Sequence, residues 1–402
     1  MLALSSHAFR SLWKRKLRTS LTLLGIVIAI ATLIIIVSLS LGLQASVEEQ
    51  FRDLGTDKFF VFPRGQLAGP GSSGSVQMTL ADVSVVDKVT GVKDLSYAIA
   101  GNAKVEFADS IRYTQVLGVP PERGDVFTES GAFKIDEGRF LKKGDRGVVS
   151  LGSDFKQRSF FSRPVHAGDM ITINGQDFRV RTIILPRGNP GDDRIVLMPF
   201  EDFQLLFKTG DTIDQIAVQA ESTRAVREVA ARVEKKLRSS RHVTEETQDF
   251  TVLTPEELLA SFGNILKILT TFLLSIATIS LLVGGIGIAT TMYTSVLERT
   301  RDIGIMKAVG ARNRDILSLF LFESGLLGLI GGIIGVLLGI SISKTIEYIA
   351  TTQLGTTLIK SVFPLELIVS CLAFAFLVGS LSGIWPARSA SRLKPTEALR
   401  YE

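Results

Sequence analysis

The chain has 402 residues, 46% hydrophobic and 21% charged, with a formal net charge of +5. That is too apolar for an ordinary soluble enzyme and too charged for a bare membrane bundle, so a mixed membrane protein is expected. The basic excess does not point to nucleic acid, because Lys and Arg gather at the edges of the apolar stretches.

Residues 1–18 carry Arg10, Lys14, Arg15, Lys16 and Arg18 with no acidic residue. Leu4, Phe9, Leu12, Trp13 and Leu17 can share one side, which predicts an amphipathic helix on the inner membrane surface; a disordered basic flank is the alternative. Thr19–Val47 is the first of four nearly uncharged stretches, the others being Ile268–Leu297, Ser324–Ser343 and Leu367–Ala387. About 20 residues at a rise of 1.5 Å cross the roughly 30 Å hydrocarbon core, so each is long enough to span. The first stretch is too long for a signal-peptide core and no small-x-small site follows it, so an uncleaved anchor is expected.

Residues 48–262 form the predicted extracytoplasmic domain. Lys58–Pro63 reads as a strand, Gly65–Ser75 as a glycine- and serine-rich loop, and Leu80–Val89 as a helix opened by Thr79. Strands are predicted at Val92–Ile99, Ala103–Phe107 and Tyr113–Val119. Residues 138–205 have a different texture, with short strands at Arg146–Leu151, Met170–Ile173, Asp177–Leu185 and Arg194–Met198. Asn174-Gly175 is a hairpin signal. Ile213–Val218 and Phe250–Leu253 read as strands flanking a charged amphipathic helix, Ser222–Arg238. The pattern predicts an α/β lobe (about 56–137 and 206–253) interrupted by an inserted β lobe (about 138–205). Thr254-Pro255-Glu256-Glu257 opens a helix that should run unbroken into the second span, 263–297.

The segment 298–315 carries Arg299, Arg301, Lys307, Arg312 and Arg314, and the tail 388–402 carries Arg388, Arg392, Lys394 and Arg400. The loop 344–366 between the third span (316–343) and the fourth (367–387) has only Lys344 and Lys360. The positive-inside rule therefore puts both termini and 298–315 in the cytoplasm, with 48–262 and 344–366 outside.

No Gly-Lys pair exists, so no P-loop holds nucleotide phosphates. His7, His166 and His242 do not make a zinc site with Cys371, the only cysteine, and no Gly-x-Ser-x-Gly occurs. Catalytic residues and metal ligands are expected to be absent. Cys371 allows no intrachain disulfide and reveals no redox compartment.

Glu298–Arg312 reads Glu-Arg-Thr-Arg-Asp-Ile-Gly-Ile-Met-Lys-Ala-Val-Gly-Ala-Arg, with Ile303, Met306 and Val309 on one side of a helix. On pattern alone it is equally a membrane-surface helix. The segment resembles the cytoplasmic coupling loop of MacB/FtsX-type ABC transporter permeases, departing at Asp302 and at Met306. Lys16–Ile26 is similar to that family's entry to its first span, Asp249–Glu256 to its return to the membrane, and Pro386–Tyr401 to its tail. The likeness runs the length of the chain in one order. It implies four transmembrane helices plus an extracytoplasmic α+β domain with a Porter-like α/β lobe and an inserted Sabre-like β lobe. It also implies a homodimer in the cell membrane working with two copies of a separate ABC ATPase, which would bind the ATP and Mg; this chain would bind membrane lipids but no cofactor and no nucleic acid, and the sequence does not reveal whether it has an outer partner. Arg299, Thr300, Arg301, Ile303, Gly304, Met306, Lys307 and Gly310 are the expected ATPase-coupling residues, with Ile303 and Met306 buried in the ATPase and Gly310 ending the helix. Gly284, Gly285, Gly287, Gly328, Gly332 and Gly335 are expected at close helix contacts, either within the chain or between two copies. Glu323 either marks the interface or pairs with Arg18 or Arg312.

The function implied is a permease that transmits ATP-driven motion to its outer domain to export a substrate. An FtsX-like signalling subunit that activates an extracellular hydrolase is the alternative. A passive scaffold is a third reading, which the coupling-loop likeness opposes.

Overall fold

The computed structural model describes residues 16–64, 76–124, 126, 133–158 and 160–394. The amphipathic helix expected over 1–18 and the loop at 65–75 therefore fall outside the described residues, except for 16–18. Among the described residues four helices are long and apolar enough to cross a membrane: α1 (Lys16–Leu54), α5 (Pro255–Glu298), α7 (Asn313–Gln353) and α8 (Leu365–Ser382). The chain separates into two compact units.

The first unit, 1–43, 264–349 and 359–402, contains the apolar parts of these four helices. It also holds two short helices, α6 (Thr300–Ala308) and α9 (Ile384–Ser391). Glycine sets how closely the long helices approach. A Cβ on Gly284 of α5 would lie 2.8 Å from the Ile26 amide nitrogen of α1, and one on Gly25 would lie 2.7 Å from Gly284 Cα. On α7, Gly335 faces Val27 and Ile30 of α1, while Gly328 and Gly332 face Ala375 of α8. Two glycine stripes on one helix thus seat two different neighbours. Buried Ile26, Ile30 and Ile34 of α1 fill the space between them.

The second unit, 44–263 with 350–358, is built on one long sheet. Its strand order is β12-β1-β11-β3-β4-β9-β6-β8-β5, with β7 set against β3 and β8. The strands are β1 (Lys58–Pro63), β2 (Met78–Thr79), β3 (Val92–Phe107), β4 (Ser110–Val119), β5 (Ile135–Gly138), β6 (Val148–Leu151), β7 (Met170–Ile173), β8 (Gln176–Ile184), β9 (Val196–Pro199), β10 (Thr212–Ile213), β11 (Gln215–Ala220) and β12 (Phe250–Leu253). β10 and β2 form a separate small ladder. Helices α2 (Leu80–Asp87) and α4 (Val226–Arg241) belong to the principal core, where Val83, Val86, Val229, Val233 and Leu237 meet Phe59, Leu95, Val218 and Phe250.

Local sequence explains the turns. Asn174 and Gly175 both take positive φ and join β7 to β8, with Ile173 opposite Gln176. The Thr79 amide donates to Asp82 at 2.9 Å, and the Thr254 amide donates to Glu257 at 2.9 Å, so both helix starts carry a reciprocal cap. Several elements differ from the sequence reading: the fourth span, expected over Leu367–Ala387, divides at Gly383 into α8 and α9, and β5 was not expected. β3 continues unbroken through Gly101-Asn102, because Gly101 leaves room for Phe203 and Phe207 of a helix the sequence did not reveal, α3 (Phe200–Phe207). α7 runs on to Gln353, past Ser343 where the apolar stretch ends.

Candidate functional site: the coupling helix

α5 ends at Glu298, and the chain turns through Arg299 into α6. Thr300 Oγ1 donates to the Val296 and Leu297 carbonyls, occupying acceptors that the end of α5 would leave open. At the far end, the Ala311 amide donates to Met306 O and the Gly310 amide to Lys307 O, both at 3.0 Å, with Gly310 at φ +107°. This is a Schellman arrangement, and it needs a residue that tolerates positive φ. Gly310 therefore terminates the helix.

The helix lies with one side against its own chain. Ile303 is fully buried in a cluster with Val296, Ile316, Ala387 and Ala390, with Met306 half-buried beside it. Gly304 is also buried. Ile303, expected to seat in another protein, is thus used inside this chain instead, while Met306 is only half-buried there. Lys307 is likewise engaged: its Nζ donates to Ser391 O at 2.6 Å and to Leu393 O at 2.7 Å. These carbonyls close α9, so a cation sits at the negative end of that helix.

Arg299 is not free to meet a partner either. Its Nη1 donates to both Glu323 carboxylate oxygens, at 3.1 and 3.2 Å, joining the α5–α6 turn to α7. Glu323 is 13% exposed and Arg299 28%. Glu323 thus pairs with Arg299, a partner the sequence reading did not weigh.

The outward side of α6 has other residues. Arg301, Asp302 and Ala308 are exposed, Ile305 is 47% exposed and Val309 85%. Ile305 and Val309 are one helical turn apart, so they form a single apolar strip flanked by Arg301. Sequence reading grouped Val309 with Ile303, but six residues along a helix of 3.6 residues per turn carry Val309 about 120° away from Ile303 and bring it over Ile305. The signal that could have found the strip is the i, i+4 spacing of Arg301, Ile305 and Val309.

The glycines expected at helix contacts serve the chain's own bundle at Gly284, Gly328, Gly332 and Gly335. Gly285 faces Ser382 of α8. Gly287 is half-buried, and its carbonyl accepts from Thr290 Oγ1 at 2.9 Å. Among the described residues no group of three His, Cys, Asp or Glu side chains is placed to hold a metal ion. His166 Nδ1 lies 3.1 Å from Glu137 on the surface of the outer unit.

Residues 19–236 match the family model of the MacB-like periplasmic core domain, and residues 274–395 match that of the FtsX-like permease C-terminal region. An ABC transporter permease of Methanocaldococcus jannaschii is 34% identical over 99% of this chain and 97% of its own length. The chain belongs to the MacB/FtsX-type ABC transporter permeases. The macrolide export ATP-binding/permease protein MacB of Bdellovibrio bacteriovorus is 32% identical over 98% of this chain, which spans 61% of that protein. Among solved structures, the periplasmic region of MacB from Actinobacillus actinomycetemcomitans aligns with 54% of this chain and 98% of its own, at 17% identity and a TM-score of 0.44. This permease is accordingly a membrane protein with four apolar helices and an extracytoplasmic domain.

Proposed function

We propose that this permease couples ATP hydrolysis by a separate ATPase to movement of its extracytoplasmic domain, for export of a substrate. The observation that carries the reading is the outward strip of α6, Arg301, Ile305 and Val309, on a helix whose other side is locked into the spans. The ATPase docks on that strip. Arg299–Glu323 ties α6 to α7, and Lys307 ties it to the end of α9, so a push on the strip is passed to the third and fourth spans without a flexible joint.

In this reading the protein is a homodimer served by two ATPase copies, which bind the ATP and Mg. Both termini and α6 are cytoplasmic, as the Lys and Arg distribution supports. The sequence has no phosphate-binding loop of its own, whereas the Bdellovibrio relative has an ATP-binding part in its name. Reconstitution with the partner ATPase tests the reading. The permease alone should hydrolyse no ATP, and the complex should show turnover that falls when Arg301 is replaced with Ala. ATP hydrolysis by the pure permease would overturn it.

A further inference from the structure

The extracytoplasmic unit contains a cavity of about 280 Å³ that none of the coupling machinery uses. Its floor crosses four neighbouring strands. Gln215 pairs with Ala98 between β11 and β3, and Leu117 pairs with Leu197 between β4 and β9. Phe133 and Phe140 wall one side. Gln115 and Gln215 on the floor strands, and Gln50 of α1, also line it.

One end of the cavity is charged. Arg187 Nη1 lies 3.1 Å from Asp192 Oδ2, with these side chains 15% and 30% exposed. The Arg187 guanidinium also stacks over Phe133, 4.9 Å from the ring centre. Behind them, Asp193 is buried and accepts the Arg187 amide at 2.7 Å. The Arg187 guanidinium is thus paired with Asp192 and stacked on the ring, while Asp193 is held by the Arg187 backbone amide, so among the described lining residues a single cation stands beside two adjacent carboxylates. Burial, and then the neighbouring Asp193, push the Asp192 carboxyl above its ordinary range, with Arg187 opposing. A second cation at this end would relieve that cost.

The rim is also anchored. Gly188, next to Arg187, accepts the Thr357 amide at 2.8 Å through its carbonyl. Thr357 lies in the loop that follows α7, so the cavity edge is held by a segment continuous with the third span. Gly188 takes φ +71°, and a Cβ there would collide with Thr357 Oγ1.

We propose that this cavity binds a small amphiphile, with an apolar body on Leu117, Leu197 and Phe133 and a basic group at Asp192, and that the Gly188–Thr357 contact links its occupancy to α7. This goes beyond the coupling reading and does not depend on it, because no ATPase is needed to test it.

The probe is a water-soluble benzophenone carrying a butylamine arm, with the butanol counterpart as the neutral control. The full-length permease is held in nanodiscs and irradiated, and labelled peptides are located by mass spectrometry. The amine should label peptides containing Leu117, Phe133 or Leu197, and unlabelled amine should compete it away. Leu117→Trp, which fills the floor, should abolish this labelling while leaving labelling of the spans intact. Asp192→Asn should lower labelling by the amine about tenfold and leave the alcohol unchanged, the scale of one lost charge contact. Thr357→Pro, which removes the amide donor, should raise labelling at the rim. Because Leu117→Trp could misfold, Asp192→Asn and competition decide the matter if its melting temperature falls. Labelling confined to the spans, labelling that does not saturate, or equal labelling by amine and alcohol would overturn the proposal.

Discussion

Placing Asp at both Ile305 and Val309 should release the ATPase while leaving the permease folded. Ile305 is 47% exposed and Val309 85%, so roughly half of one side chain and most of the other remain to be buried on docking. Complete burial of such a side chain contributes about 1.5–3 kcal/mol, which gives about 2–4 kcal/mol for the strip. Charged replacements lose that and add the cost of desolvating a carboxylate. At about 1.4 kcal/mol per tenfold, affinity should fall at least about 30-fold for the double variant and about tenfold for Ile305→Asp alone. Ile303→Asp is the contrast. Ile303 is fully buried within its own chain, so an unpaired charge there should cost several kcal/mol of permease stability. The assay is binding of purified ATPase to immobilised permease, with a melting curve for each variant. Wild-type affinity and coupled turnover in the double variant would refute the assignment of this face. So would a double variant that melts as early as Ile303→Asp, because it would mean that the strip holds the fold.

Three further outcomes follow from the packing and the charges. Glu323→Ala should destabilise the spans by about 1–3 kcal/mol, the scale of a hydrogen bond to a charged group; adding Arg299→Ala should cost less than the sum of the two single changes, read from melting in detergent. Gly328→Ala should lower the melting temperature, since its Cβ would collide with the Ala375 carbonyl, whereas Gly263→Ala, with nothing within 4 Å, should be neutral or mildly stabilising. Glu137 is held at a pKa of about 2, chiefly by its hydrogen bond from Lys156 and then by the Ala167 amide. A lowered folded-state pKa contributes stability above the ordinary Glu value and loses it as pH falls toward 2. Hydrogen-exchange protection factors at β5 and at residues 166–167, taken relative to the intrinsic exchange rate at each pH, should therefore fall between about pH 4.5 and 2, the interval between the ordinary and the lowered pKa, and Glu137→Gln should flatten that dependence.

What could be read from sequence follows from how local each determinant is. Apolar length marks the spans, and a two-residue Asn-Gly turn marks a hairpin, because each needs only neighbouring residues. The caps at Thr79 and Thr254 and the stop at Gly310 are local in the same sense. The phase of α6 is not. Ile303, Ile305, Met306 and Val309 put apolar side chains on both sides of the helix, so the choice of inward face rests on Ala387 and Ala390, far along the chain. Glu323 posed the same difficulty: its partner Arg299 is set by how the α5–α6 turn meets α7, and several basic residues lay within reach of a guess. The Gly101 position misled for a physical reason, since a glycine inside a strand reads as a break when it is in fact a seat for Phe203 and Phe207. α3 itself begins after Pro199 with no polar cap, so nothing in its opening announces a helix.

The central claim is that a separate ATPase sits on the outward side of α6. Replacing Cys371 with Ala gives a cysteine-free background, in which single cysteines can be placed at Val309, Ile305 and Ile303 and joined to a short thiol-reactive photocrosslinker. In membranes containing the partner ATPase, the probe at Val309, and at Ile305 to a lesser degree, should capture a protein that mass spectrometry identifies by its P-loop peptide. The probe at Ile303 should capture none. Crosslinks to lipid alone from Val309 would mean that α6 is a membrane-surface helix, and the coupling account would fall.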